Sequence, residues 1–232
     1  MQDPFEKAFY DYFEGDKEAK IIVNINKFEA NDIPISYFFR KYEEMPELEQ
    51  KALSLCSGSI LDIGAGSGIH SLYLQEKDND VTALDIQKGF VDIMKKRGLK
   101  NVVHSDIFDF NEGKFDTLLM LMNGIGFTKN FDGLLTFFKS AHKLLKPGGQ
   151  IILDSSDLLF LYEDEDGSYT INLNEEYYGE VEYQIEYKGN KAKPFRWLYV
   201  DFHNLSLYAE QAGFSCDNLF EDDHYNYLAR LY

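Results

Sequence analysis

Ile60-Leu61-Asp62-Ile63-Gly64-Ala65-Gly66-Ser67-Gly68 decides how this chain folds. An apolar run short enough for a buried strand ends in three glycines at alternate positions, and Ile69, Leu72 and Leu74 then open a helix-like apolar pattern. Strand, tight glycine turn and helix follow one another. Glycine suits such a turn because the backbone must take angles that a Cβ resists, and because a ligand can approach bare backbone. The helix start adds unpaired N–H groups and partial positive charge. A nucleotide-type binding site is expected there.

The spacing G-x-G-x-G differs from the dinucleotide pattern G-x-G-x-x-G, and no P-loop Lys-Ser/Thr pair follows. Downstream, Asp80-Val81-Thr82-Ala83-Leu84-Asp85-Ile86 reads as a second buried strand ending in an acid, about 20 positions beyond the turn, where a carboxylate can accept from ribose hydroxyls. Asn101-Val102-Val103-His104 gives a third strand, leading into Ser105-Asp106-Ile107-Phe108; a helix N-cap is the plain alternative for Ser105 or Asp106. A fourth strand over residues 115–122 ends at Asn123-Gly124-Ile125-Gly126-Phe127, in the crevice where open α/β sheets bind ligands. Residues 131–145 carry an amphipathic stripe that stops at Lys146-Pro147-Gly148-Gly149, before a fifth strand Gln150-Ile151-Ile152-Leu153-Asp154.

Asp62 with the three glycines, Asp85, Asp106-Ile107, and the Leu144-Leu145-Lys146-Pro147-Gly148-Gly149 segment together resemble class I S-adenosylmethionine-dependent methyltransferases. The resemblance covers residues 60–154. It implies a Rossmann-like, seven-stranded mixed α/β sheet flanked by helices, of order 3-2-1-4-5-7-6 with the last strand antiparallel. It also implies S-adenosyl-L-methionine as methyl donor and S-adenosyl-L-homocysteine as product. In that reading the donor is bound by Asp62, Gly64, Ala65, Gly66, Gly68 and His70 around the first turn, and by Asp85 and Ile86 at the ribose. Asp106 and Ile107 serve the adenine, with Met122 and Asn123 at the fourth strand's end. Tyr37-Phe38-Phe39-Arg40, upstream of the turn, is similar to a segment that touches the methionine end of the donor, where Arg40 is suited to a carboxylate. Asn123-Gly124-Ile125-Gly126 departs from the N-P-P-Y and D-P-P-Y motifs of DNA- and amide-methylating members.

Methyl transfer from a sulfonium needs alignment and exclusion of water more than catalytic machinery, so the acceptor is not legible from these motifs. His203 is the first candidate for a general base, against a helix-capping role. The acceptor expected is a small molecule. A protein side chain, a binding protein without activity and a nicotinamide-dependent oxidoreductase are the alternatives. The last shares the turn and Asp85 but leaves Asp106 and residues 146–149 without a purpose.

One domain is expected over residues 1–232: a helical cap over 1–55, the cofactor core over 56–155, an antiparallel β insertion over 156–200, and a helix and hairpin over 201–232. The insertion rests on period-two alternation from Tyr169 to Tyr187 and a turn at Gly189-Asn190, and is expected to wall the substrate side. Trp197 is expected to pack in the core. Residues 162–187 hold nine acids and no base, in a chain with 40 acids against 23 bases and a net charge of −17. That balance disfavours nucleic acid and anionic lipid as partners. Cys56 and Cys216 stand apart from any Cys/His cluster, so no metal site is expected, and with no leader or long apolar run a cytoplasmic protein is expected.

Overall fold

The computed structural model describes residues 3–26, 28–164, 166–171 and 176–232. In chain order these form α1 (Pro4–Phe13), β1 (Lys20–Ile25), β2 (Asn31–Pro34), 3-10 turns at Ile35–Phe39 and Tyr42–Glu44, α2 (Glu47–Leu55), β3 (Ser59–Ile63), α3 (Ile69–Glu76), β4 (Asp80–Asp85), α4 (Lys88–Lys96) and β5 (Val102–His104). There follow β6 (Phe115–Met120), a 3-10 turn at Gly124–Thr128, α5 (Phe131–Leu144), β7 (Leu145–Ser156), a 3-10 turn at Leu158–Tyr162, β8 (Glu180–Tyr187), β9 (Asn190–Lys191), β10 (Phe195–Leu198), α6 (Phe202–Gln211), β11 (Cys216–Glu221) and β12 (Asn226–Leu231).

Seven strands form one sheet in the order β11-β12-β7-β6-β3-β4-β5. Read from the β5 edge this is 3-2-1-4-5-7-6, the order implied by the family resemblance, with β12 antiparallel to both β7 and β11. The central strands are apolar on both faces because helices cover both. Ile60, Leu61, Leu118, Leu119, Met120, Ile151, Ile152 and Leu153 are all fully buried. On one face α5 lays down Leu134, Phe137, Phe138, Ala141 and Leu144, each phenylalanine contributing about 2–3 kcal/mol of burial. Asn130 starts that helix by accepting from Gly133 N at 2.9 Å. On the other face α2 and α3 bring Leu48, Ala52, Leu53, Ile69 and Leu74 against Ile60, Leu119 and Ile152. The strand after α5 begins earlier than expected, at Leu145, because Leu145 pairs with Phe115 before a register shift restores the Thr117–Gln150 pairing.

A second, wholly antiparallel sheet has the order β10-β8-β1-β2, with β9 on the end of β8. It corrects the expected helical cap over 1–55, since residues 20–34 form a hairpin. Ile21 and Val23 bury one face of β1, and the apolar run is short, flanked by the polar Lys20 and Asn24, which weakens its signal. The β insertion is present from Glu180 onward, but Asn24 pairs Gln184 and Ile25 pairs Tyr183, so it is completed by the start of the chain. Residues 172–175 of the alternating run lie outside the described residues. The turn sits at Lys188-Gly189, one residue before the expected place, because both residues take positive φ (48° and 76°) and Tyr187 pairs Asn190. α1 docks under this sheet through Phe9, whose ring lies 4.6 Å from Phe90 and 4.9 Å from Phe38. Its start is capped by Asp3, which accepts from Phe5 N at 2.9 Å, with proline in the first turn.

Candidate functional site

The glycine turn joins β3 to α3 and is pinned to the neighbouring strand: Gly64 N and Ala65 N both donate to Leu84 O, at 2.9 and 3.1 Å. Gly64 and Gly66 hold φ of +74° and +56°, and an added Cβ at either would meet no atom within 4 Å. The backbone there faces open space of the kind a ligand fills. Gly68, at φ +82°, caps α3 with its backbone and would press a Cβ into Leu99 and Met94. Ser67 donates its hydroxyl to Phe38 O, and Arg97 donates to Ser67 O at 2.6 Å, which ties the turn to the segment preceding α2.

Asp85 ends β4 buried beside this turn. Its carboxylate accepts from Gly66 N at 2.9 Å and Gln87 N at 2.8 Å, yet burial outweighs both bonds and pushes its pKa up to about 6. Ile86, next in the chain, is 61% exposed, a large apolar side chain left uncovered at the rim. Asp106 follows β5 in a turn of its own, accepting from Phe108 N at 2.9 Å, and no helix follows for it to cap. The side chain of Ile107 is buried in the core, leaving its backbone for any outward contact.

Beneath the turn, Asp62 is buried in β3 and accepts from Ser71 Oγ at 2.6 Å; burial raises its pKa, partly offset by that bond and by the His70 charge. His70 Nε2 lies 2.9 Å from Glu49 Oε2, and the other Glu49 oxygen pairs with Arg40. All three side chains are buried. Burial pushes the Glu49 carboxyl up, but the bonds to His70 and Arg40 outweigh it and hold it below the ordinary value. Arg40 also donates to Tyr37 O and lies 3.9 Å from the centre of the Tyr37 ring. Its Nε is buried without a partner among the described residues.

At the end of β6, Met122 and Asn123 take φ of +61° and +53°, two successive non-glycine residues in the left-handed region. Such strain persists only where the surroundings enforce it. Here Asn123 N donates to Asp154 Oδ1 at 2.9 Å, Asn123 Nδ2 donates to Leu198 O at 3.2 Å, and Ser155 Oγ donates to Asn123 Oδ1 at 2.8 Å. Val200 N donates to Ser155 Oγ at 3.1 Å, so the segment after β10 is stitched across the ends of β6 and β7. Leu198 and Val200 are fully buried on either side of Tyr199, which therefore projects the opposite way. Its hydroxyl is bonded to that of Tyr183, whose ring stacks on Phe195 at 5.7 Å. Burial pushes Asp154 up to about 7 against the Asn123 bond, with the Glu49 charge adding to the rise.

Residues 62–68, 85–86, 106–107 and 122–123 stand at or just beyond the carboxyl ends of β3, β4, β5 and β6, while Tyr37 and Arg40 precede α2, and Arg40 joins His70 through Glu49. His203 is exposed on α6, and among the described residues no hydrogen bond joins it to this group. Glu49, Asp154, Tyr183 and Tyr199 were not among the candidates. Asp154 carried a usable signal, an acid closing an apolar strand as Asp85 does; the tyrosines carried none, since only the pairing of distant segments brings them here. Trp197 packs in part against Gly126, where a Cβ would overlap the indole.

A family model described as a methyltransferase domain matches residues 61–153. A solved S-adenosylmethionine-dependent methyltransferase from Bacteroides fragilis, in complex with S-adenosyl-L-homocysteine, is 43% identical, with 100% of this chain and 94% of that one covered and a TM-score of 0.92. The putative methyltransferase YqeM of Bacillus subtilis is 27% identical over 128 residues, and the cypemycin N-terminal methyltransferase of a Streptomyces species 28% identical over 103. The matches span 48% and 43% of this chain, and 52% and 42% of those two relatives.

Proposed function

We propose that this chain, which belongs to the class I S-adenosylmethionine-dependent methyltransferases, transfers the methyl group of S-adenosylmethionine to a small-molecule acceptor seated over the carboxyl ends of β6 and β7. The observation that carries the reading is the strained Met122-Asn123 turn, held by Asp154 and Ser155 beside a glycine turn with open backbone. The residues present fit the donor. Gly64 and Gly66 leave room where side chains would stand, and Arg40 keeps one buried N–H unpaired among the described residues.

When bound, S-adenosylmethionine supplies a methyl carbon activated by a sulfonium; everything else falls to the protein. The backbone at Gly64, Ala65, Gly66 and Gly68 takes the nucleoside close. Asp85 accepts from the ribose hydroxyls, Ile86 covers the adenine, and Asp106 with the Ile107 amide reads its edge. Arg40, fixed by Glu49 and backed by the Tyr37 ring, takes the methionine carboxylate through Nε, while Glu49 in turn is fixed by His70. Asp62 supports the turn from below through Ser71. Met122 and Asn123 set the floor on which the acceptor meets the methyl group, and Tyr199 and Tyr183 wall that floor from water.

A small acceptor is favoured because β10 of the second sheet is bonded to this floor through Leu198 O and Asn123 Nδ2, and because a net charge of −17 offers no overall basic footprint for nucleic acid. A peptide terminus is the second reading, favoured by the relative named for N-terminal methylation of cypemycin. Calorimetric titration with S-adenosylmethionine, S-adenosylhomocysteine and NADH tests the donor: saturable micromolar binding of the first two alone is expected. Binding of NADH alone overturns it. Turnover of the donor with an acceptor panel then separates an enzyme from a binding protein.

A further inference from the structure

We infer that the acceptor is an amine, held as its ammonium by the free oxygen of Asp154 between the Met122-Asn123 turn and the Leu198–Val200 segment, and that Asp154 takes the proton that must leave before attack. The inference rests on the methyltransferase reading and names the substrate class for its acceptor floor.

Asp154 lies two residues before the end of β7, bonded to the strained turn. One of its oxygens accepts from Asn123 N at 2.9 Å, and the other has no partner among the described residues. The groups around it come from every neighbouring element: Glu49 of α2, His70 of α3, Tyr37 of the 3-10 turn before α2, Tyr199 after β10 and Tyr227 of β12. Both the Tyr37 and the Tyr199 phenol are pushed up, by burial first and by the Asp154 charge in part. The one buried arginine nearby is already paired with Glu49. An anionic acceptor would therefore meet a carboxylate with its nearby arginine already taken by Glu49, whereas a cation meets a carboxylate with one oxygen free among the described residues.

Proton chemistry points the same way. With its carboxyl pushed up to about 7, Asp154 lies within about 3 units of an alkylammonium, for which a lysine side chain at about 10 is the reference, and far from the proton of an alcohol. The step balances. The carboxylate removes one proton from R–NH3+, giving R–NH2 and the neutral acid. The nitrogen lone pair forms the N–C bond to the methyl carbon as the C–S bond breaks, its electron pair staying on sulfur. The sulfonium charge passes to the product, R–NH2–CH3+, and the proton on Asp154 returns to water.

Binding of S-adenosylhomocysteine is measured first; its absence would overturn the parent methyltransferase reading. With that ligand saturating, the protein is titrated with phenethylamine, 2-phenylethanol and phenylacetate between pH 6 and pH 8. The expected result is at least tenfold preference for the amine, growing as pH rises through 7, and lost in Asp154→Asn, which keeps an acceptor for Asn123 N and binds S-adenosylhomocysteine within threefold of the parent. Absence of amine preference, whether both uncharged and charged probes bind or none does, overturns the inference, as does a preference retained in Asp154→Asn. A mixed pool of amines, alcohols, thiols and acids, incubated with the donor and read by mass, adds the chemical outcome: methylated amines are expected, and methylation confined to oxygen, sulfur or carbon overturns it.

Discussion

Two acids, Asp85 at the end of β4 and Asp154 near the end of β7, are kept at a cost to the fold, and that cost makes their roles measurable. Each has a carboxyl raised by burial, to about 6 and about 7. A carboxyl raised on folding takes up protons more readily in the folded state, so stability falls as pH climbs from near 4 towards these values and levels off above them. Asp154→Asn should therefore be more stable than the parent by about 1–3 kcal/mol at pH 8 and indistinguishable from it at pH 4, as read by urea melts at both pH values. Equal stability at pH 8 would mean that the carboxylate is better solvated than its setting indicates. For Asp85→Ala the expected effect is on binding: loss of about 1–3 kcal/mol in affinity for S-adenosylhomocysteine in a folded protein, read by calorimetry. Unchanged affinity would remove Asp85 from the ribose.

At the scale of elements, close approaches rather than exposed glycines decide where the chain tolerates change. A Cβ on Gly126 would overlap the Trp197 indole, so Gly126→Ala should shift the fluorescence of the chain's one tryptophan and cost about 1–3 kcal/mol by forcing β10 away from the turn after β6. An unshifted spectrum would mean that the indole has room to move. The same elements show what the sequence could and could not disclose. β3, β4, β6 and β7 announced themselves because their apolar runs end in glycines or acids whose spacing follows from ligand chemistry. β1 did not, because Lys20-Ile21-Ile22-Val23-Asn24-Ile25 has only two deeply buried residues and its partner lies in the insertion. Arg40 was legible as a partner for a ligand carboxylate, but its burial was not, and Glu49, which holds it, reads in sequence as one more acid on an exposed helix start. Tyr199 is placed by Leu198 and Val200 locking into a core that forms from α5 and α6, and no local pattern encodes that.

For the whole molecule, the net charge of −17 is a standing repulsion that salt screens. The melting temperature should rise by about 2–5 °C between 20 and 300 mM sodium chloride at pH 8; a fall would mean that ion pairs such as Lys188 with Asp11 and Asp16 outweigh the repulsion. Charge and topology meet in the second sheet, whose acids, Asp32 apart, come from the insertion while two of its strands come from the start of the chain. Because Asn24 must find Gln184, the ribosome releases β1 and β2 long before β8 exists. The hairpin waits, unpaired along one edge, until β3 to β7 of the large sheet have been made. The strand ends that carry the donor residues can thus take shape while synthesis continues, and the second sheet closes only after β8 has emerged, as a slow, long-range step in the life of each new chain.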